Sequence, residues 1–105
     1  MASNKLSMAG LAYRAGKALA GSAACEKGLK FGQVHLLLVQ QGLSEGSLEY
    51  FSGLCERVHA KTLMVGKEDD LGKAIGRPGV MLVGITDTGF ANAIKNNYLG
   101  GSGIE

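Results

Sequence analysis

Apolar positions along this chain recur at helical spacing in some stretches and run unbroken in others, and the alternation between the two orders the molecule. Leu6, Gly10 and Tyr13, beside Met8, Leu11, Ala12 and Ala15, form adjoining stripes. They predict a first helix from a cap at Ser3 or Asn4 to about Ala15, with Gly16 as its stop. Ala18-Leu19-Ala20 is a short strand, and Ser22 is expected to cap a second helix to about Phe31, with Lys27 and Lys30 in its later turns. Residues 34–39 are apolar except for His35, the pattern of a central strand covered on both faces. A polar loop from Gln40 to Gly46 leads to a third helix, in which Leu48, Phe51, Leu54, Cys55 and Val58 fall at helical spacing behind a Ser47 cap.

The second half repeats the alternation. Residues 62–65 form a strand that Gly66 ends, followed by a short helix with Glu68, Asp69 and Asp70 in its first turn and Lys73 in its last. Gly76-Arg77-Pro78-Gly79 is a turn, residues 80–85 are a buried strand, and Thr86 or Asp87 caps a final helix whose Phe90, Ile94 and Tyr98 pack inward. Helices and strands alternating with short connections predict an α/β fold: a three-layer α/β/α sandwich around one four-stranded mixed or parallel sheet. One domain spans residues 1–105, with a flexible tail from about residue 100, where Gly100-Gly101-Ser102-Gly103 stands.

Composition narrows the function classes. With 46% hydrophobic and 19% charged residues the chain is that of a globular domain and not a disordered one. Its net charge of +2 does not by itself announce a nucleic-acid binder, but the distribution does more. Of 11 cations and 9 anions, the first thirty-five residues hold Lys5, Arg14, Lys17, Lys27 and Lys30 against Glu26 alone, leaving six cations and eight anions for the rest. A polyanion is therefore expected to approach the N-terminal half. No apolar run approaches the roughly 18 residues of a membrane span. Two cysteines without a CxxC pair, and no apolar leader, predict a reduced, cytoplasmic protein.

The candidate site lies between Gly16 and Gly32. Gly21 lets the backbone approach a ligand closely, and the helix that follows aims unpaired N–H groups and a partial positive charge at it. Lys17 and Lys27 are expected to flank that point. A second glycine-marked loop from Gly72 to Pro78 carries Lys73 and Arg77 and is able to meet phosphates. Other chemistry fits less well. Gly10 to Lys17 and Gly66 to Lys73 each miss a phosphate-binding loop by one residue and are followed by alanine instead of Ser or Thr. His35, His59, Cys25 and Cys55 would all have to converge to hold a structural zinc. No elbow or activating motif surrounds a nucleophile. Neither a metal nor another cofactor is predicted.

Three stretches, LAYRAGKALAG, LGKAIGRPG and VGITDTGFANAI, together resemble the kink-turn RNA-binding ribosomal protein family that includes archaeal L-seven-Ae and eukaryotic L-thirty-e, most of all its small bacterial YlxQ-like branch. The resemblance runs from about Lys5 to Lys95. It implies a non-enzymatic protein with a three-layer α/β/α fold that binds structured, sharply bent RNA, ribosomal or another kink-turn. The implied contacts are Lys17, Gly21, Ser22 and Lys27 on one side and Ile75, Gly76 and Arg77 on the other, Ile75 lying against an exposed base or sugar. Where the strong RNA binders of that family place an Asn-Glu pair, this chain has Ala23 and Ala24, and Gln40 and Gln41 replace the acidic residue usual after the second strand. Each missing base-edge contact removes about 1–3 kcal/mol of discrimination. RNA would then be held mainly through backbone and phosphates. The alternative is a protein-interaction module on the same fold that has lost specific RNA reading.

Overall fold

A computed structural model describes residues 6–67 and 69–100, with the side chains of residues 99 and 100 left out. The Ser3 or Asn4 cap, Glu68 and the glycines at 101 and 103 lie outside the described residues. The chain runs α1 (Ser7–Arg14), β1 (Ala18–Ala20), α2 (Ser22–Lys30), β2 (Leu36–Gln40), α3 (Glu45–Val58), β3 (Lys61–Val65), α4 (Asp70–Ile75), β4 (Leu82–Ile85) and α5 (Thr88–Lys95), then a π-helical turn, Asn96–Gly100. This is the expected α/β sandwich on a four-stranded mixed sheet. Strand order is β1-β4-β2-β3, with β4 antiparallel to both β1 and β2 and β2 parallel to β3.

Alternation along the strands separates two cores. Leu36, Leu38, Leu63, Val65, Val83 and Ile85 face α1, α4 and α5, whose Ala9, Ala12, Leu71, Ile75 and Ile94 are buried against them. Leu37, Val39 and Leu82 face α2 and α3, where Cys25, Leu29, Phe51, Leu54 and Cys55 close the other side. All five residues of β2 are buried, as a strand covered on both faces must be.

Four helices end in the same way. At α1 the left-handed Gly16 donates to Tyr13 O and Lys17 N–H to Ala12 O; α2 repeats the pair at Gly32 and Gln33, α4 at Gly76 and Arg77. These paired bonds satisfy helix carbonyls that would otherwise lack donors. In α3 the left-handed position is held by His59, the one described non-glycine residue with positive φ, at +62°. An L side chain is disfavoured there. Substitution His59→Gly is expected to raise stability by about 0.5–1 kcal/mol, read as a higher urea midpoint at unchanged m value.

Several boundaries differ from the sequence expectation. Leu11 is 48% exposed and Ala15 also faces solvent, while Ala9 is buried, because α1 turns its small residues onto α4. A Cβ on Gly10 would overlap the Ala74 carbonyl. Ser22 is the first residue of α2 and not its cap; Gly21 holds that position without a side-chain bond. Ser44, not Ser47, caps α3, its hydroxyl accepting from Ser47 N–H, so the helix gains a first turn containing Glu45. Gln40 belongs to β2 and is 1% exposed, so the polar loop begins only after it. At the end of the chain's second half, Asp87 and not Thr86 caps α5, accepting from Phe90 N–H.

Cys25 and Cys55 sit in the α2/α3 core as small hydrophobes. Burial pushes the Cys25 thiol up to about 12 and also raises that of Cys55. A thiol raised in the folded state adds stability that is complete below the unfolded thiol value and fades as pH climbs toward the folded one. Unfolding free energy is therefore expected to fall between about pH 9 and pH 12, by up to about 1.4 kcal/mol per pH unit for Cys25. Urea titrations of the parent and of Cys25→Ala across that range check this, the variant showing the flatter profile.

Candidate nucleic-acid interface

The first of the two glycine-marked segments begins where β1 meets α2. Gly21 has φ +94° and ψ 162°, a backbone setting open to glycine and strained for any L side chain. That turn leaves the first amides of α2, from Ser22, Ala23 and Ala24, without a side-chain cap. Close packing fixes where they point. A Cβ on Gly28 would overlap Leu19 and press on Val34, and one on Gly84 would press on Val34 and approach Cys25. Glycine at both positions lets α2 lie low on the sheet.

The second segment follows α4. Its helix ends at the left-handed Gly76, and Gly79 has φ +91°. Four side chains pin α4 and the stretches on either side of it. Gln40 Oε1 accepts from Leu71 N–H at 2.7 Å, so a strand residue caps the start of α4. Asp69, which flanks that start, instead accepts from Gly79 N–H at 2.9 Å, while Asp70 turns back to Lys67 N–H at 3.0 Å. Gly72 makes this possible, since a Cβ there would meet Asp69 Oδ1 and the Arg77 carbonyl. Tyr98, from the turn after α5, accepts from Gly66 N–H.

Pairing of β1 with β4 brings the two segments to one end of the sheet. Gly21 N–H donates to Leu82 O at 2.8 Å, and Gln40 N–H to Met81 O at 2.9 Å. The Arg77–Val80 turn closes two residues before Leu82, with Val80 N–H on Arg77 O. Gly21 to Ala24, Gln40 and Gln41, and Gly76 to Met81 thus share one end.

The expected contact residues divide. Ser22, Ala23, Lys27, Gly76 and Arg77 are exposed, and Gly21 and Ala24 are partly so. Ala23 and Lys27 lie four residues apart, on the same exposed face of α2. Ile75 is buried: at 6% exposed it is a core residue of α4, packed with Leu71 and the sheet, which leaves it little surface to offer a base or sugar. Lys17 is exposed but leaves the start of β1, about 13 Å of extended chain from Gly21, with its N–H on Ala12 O. It therefore does not flank Gly21. Arg77 reaches back to α1, donating to Tyr13 Oη at 3.2 Å.

Lys30 is engaged elsewhere. It pairs with Glu26 at 3.3 Å, and Tyr50 donates to the same carboxylate, tying α2 to α3. The Tyr50 hydroxyl first, and Lys30 second, hold the Glu26 carboxyl below the usual range. This is the one ion pair among the described residues, so Lys27 and Arg77 carry charges that no described carboxylate neutralises. Three residues that shape this end escape a reading of the sequence: Tyr13, Asp69 and Gln40. Tyr13 and Gln40 resemble ordinary stripe and loop positions, whereas an Asp ten residues before a glycine turn is a faint signal for the bond to Gly79.

No protein-family model and no curated protein matches the chain. Among solved structures it is similar to a protein of unknown function from Bacillus halodurans C, with a TM-score of 0.84 and 27% sequence identity, covering 90% of this chain and 96% of that one.

Proposed function

We propose that this is a non-enzymatic RNA-binding protein of the ribosomal type, which takes a bent, kink-turn-like RNA on the sheet end formed by Gly21 to Ala24 and Gly76 to Gly79. The supporting observation is the hydrogen bond from Gly21 N–H to Leu82 O, which joins a glycine-opened helix start to the strand that leaves the Arg77 loop. Uncapped amides, the helix field and the unpaired Lys27 and Arg77 all suit phosphate oxygens. In this reading the protein is cytoplasmic and associates with ribosomal or other structured RNA. No helix among the described residues is long and apolar enough to cross a membrane.

Ala23 and Ala24 offer no side-chain hydrogen bonds, so recognition rests on RNA shape and backbone. A titration against a kink-turn RNA and the same RNA with its bend-forming purines mutated tests this. Tighter binding to the intact bend is expected, and equal affinity would mean generic binding. The exposed, uncharged Ala23 also favours a second reading, a protein-interaction module on the same fold. Failure to bind structured RNA at moderate salt, together with a stable partner in a pull-down, would select it.

A further inference from the structure

The opposite end of the sheet carries a cationic cavity with no part in that reading. It is about half open to solvent, holds about 110 Å³ and is lined by His35, Lys61, Thr88, Asn92 and Lys95 with Leu36 and Ala91. The backbone sets the first two side by side. Lys61 N–H donates to His35 O at 3.1 Å, His35 N–H donates to Ile85 O at 2.8 Å, and Leu36 stands beside Lys61 in the parallel register. Thr88, Asn92 and Lys95 recur at four- and three-residue steps along α5, which places them on one face of that helix.

Charge and size together define the guest. No carboxylate lines the cavity, and neither lysine has an ion pair among the described residues. Asp87, one residue before Thr88, is committed to Phe90 N–H as the cap of α5. Two lysines, a histidine, a threonine and an asparagine thus line one space with no carboxylate among the described residues, a composition that favours an anion with several acceptor oxygens. Sites for drug-sized ligands run to roughly 300–1,000 Å³, so the space suits one small anionic group better than a whole nucleotide.

We propose that the His35, Lys61 and Lys95 cavity binds a single phosphate group, taken either as inorganic phosphate or as one phosphodiester of an RNA chain. Titrating isotope-labelled protein with inorganic phosphate at constant ionic strength, and separately with a single-stranded oligouridine, tests it through amide chemical shifts. Saturable shifts at His35, Lys61, Thr88 and Asn92 are expected, weakened at least tenfold in Lys61→Ala/Lys95→Ala and retained in Lys61→Arg. Shifts with inorganic phosphate alone identify the free anion as the guest. Shifts with oligouridine that inorganic phosphate displaces identify a phosphodiester. If the double variant does not fold, Lys61→Gln, which keeps the side-chain bulk, carries the comparison and should weaken binding as well. Shifts absent from those four amides in both titrations, or unchanged affinity in a folded variant lacking the charge, overturn the proposal.

Discussion

Replacing Lys27 and Arg77 together by alanine is expected to lower affinity for a kink-turn RNA by about two orders of magnitude while leaving the fold intact. Both side chains are exposed, and among the described residues the one bond lost is the surface contact from Arg77 to Tyr13. Two charged contacts at roughly 1.5 kcal/mol each account for the size of the loss. The log–log salt dependence should also flatten, by about 1.8 if both cations meet duplex phosphates and about 1.4 if both meet single strands. Lys17→Ala, whose cation leaves the far end of β1, should lose less. Filter binding at three or four salt concentrations measures affinity and slope together, and an unchanged affinity in the double variant would remove Lys27 and Arg77 from the interface.

Substitution Gln40→Ala is expected to destabilise the protein by about 3 kcal/mol. The buried Leu71 N–H loses its acceptor, which costs about 1–3 kcal/mol for an unpaired donor, and truncation leaves a void beside Gly66 and Asp70. Some of that cost is offset, because Gln40 Nε2 is itself buried without a partner among the described residues and its desolvation disappears with it. Urea unfolding gives the total. Amide exchange gives its location: Leu71 should lose protection more than Leu38, since the change loosens the start of α4 before it reaches the centre of the sheet. A uniform loss across all amides would instead mean that Gln40 supports the sheet and not the helix.

The order of helices and strands was legible because unbroken apolar runs and helical stripes are local signals. Residues 34–39 read as a strand buried on both faces, and that is what surrounds Leu36 to Val39. What the sequence concealed depends on partners far along the chain. Gln40 reads as the start of a loop, and it is buried only because α4, thirty-one residues later, places an amide against it. Leu11 reads as core and Ala9 as filler, yet the tight approach of α1 to Ala74 reverses them. Ile75 reads as part of a loop from Gly72 to Pro78, but α4 continues through Gly72 to Ile75 and turns Ile75 inward. The glycine positions of the candidate site were legible, since positive φ leaves few other residues possible. The distribution of its cations was not, because the three-residue β1 separates Lys17 from Gly21 and a hydrogen bond draws Arg77 toward α1.

The place of β4 in the sheet governs how the molecule comes into being. It is the last strand in the chain yet lies between the first two, so β1 has no strand neighbour and β2 has only β3 until residues 82–85 arrive. A nascent chain ending before Leu82 would hold two more open strand edges than the complete sheet, together with half-covered cores, a state exposed to aggregation. Folding should therefore be concerted and late in synthesis, with the longest strand-pairing closure, from Ala18 to Ile85, among its final steps. That same closure forms the bond between Gly21 and Leu82, so the surface proposed for RNA comes into existence only when the sheet is complete.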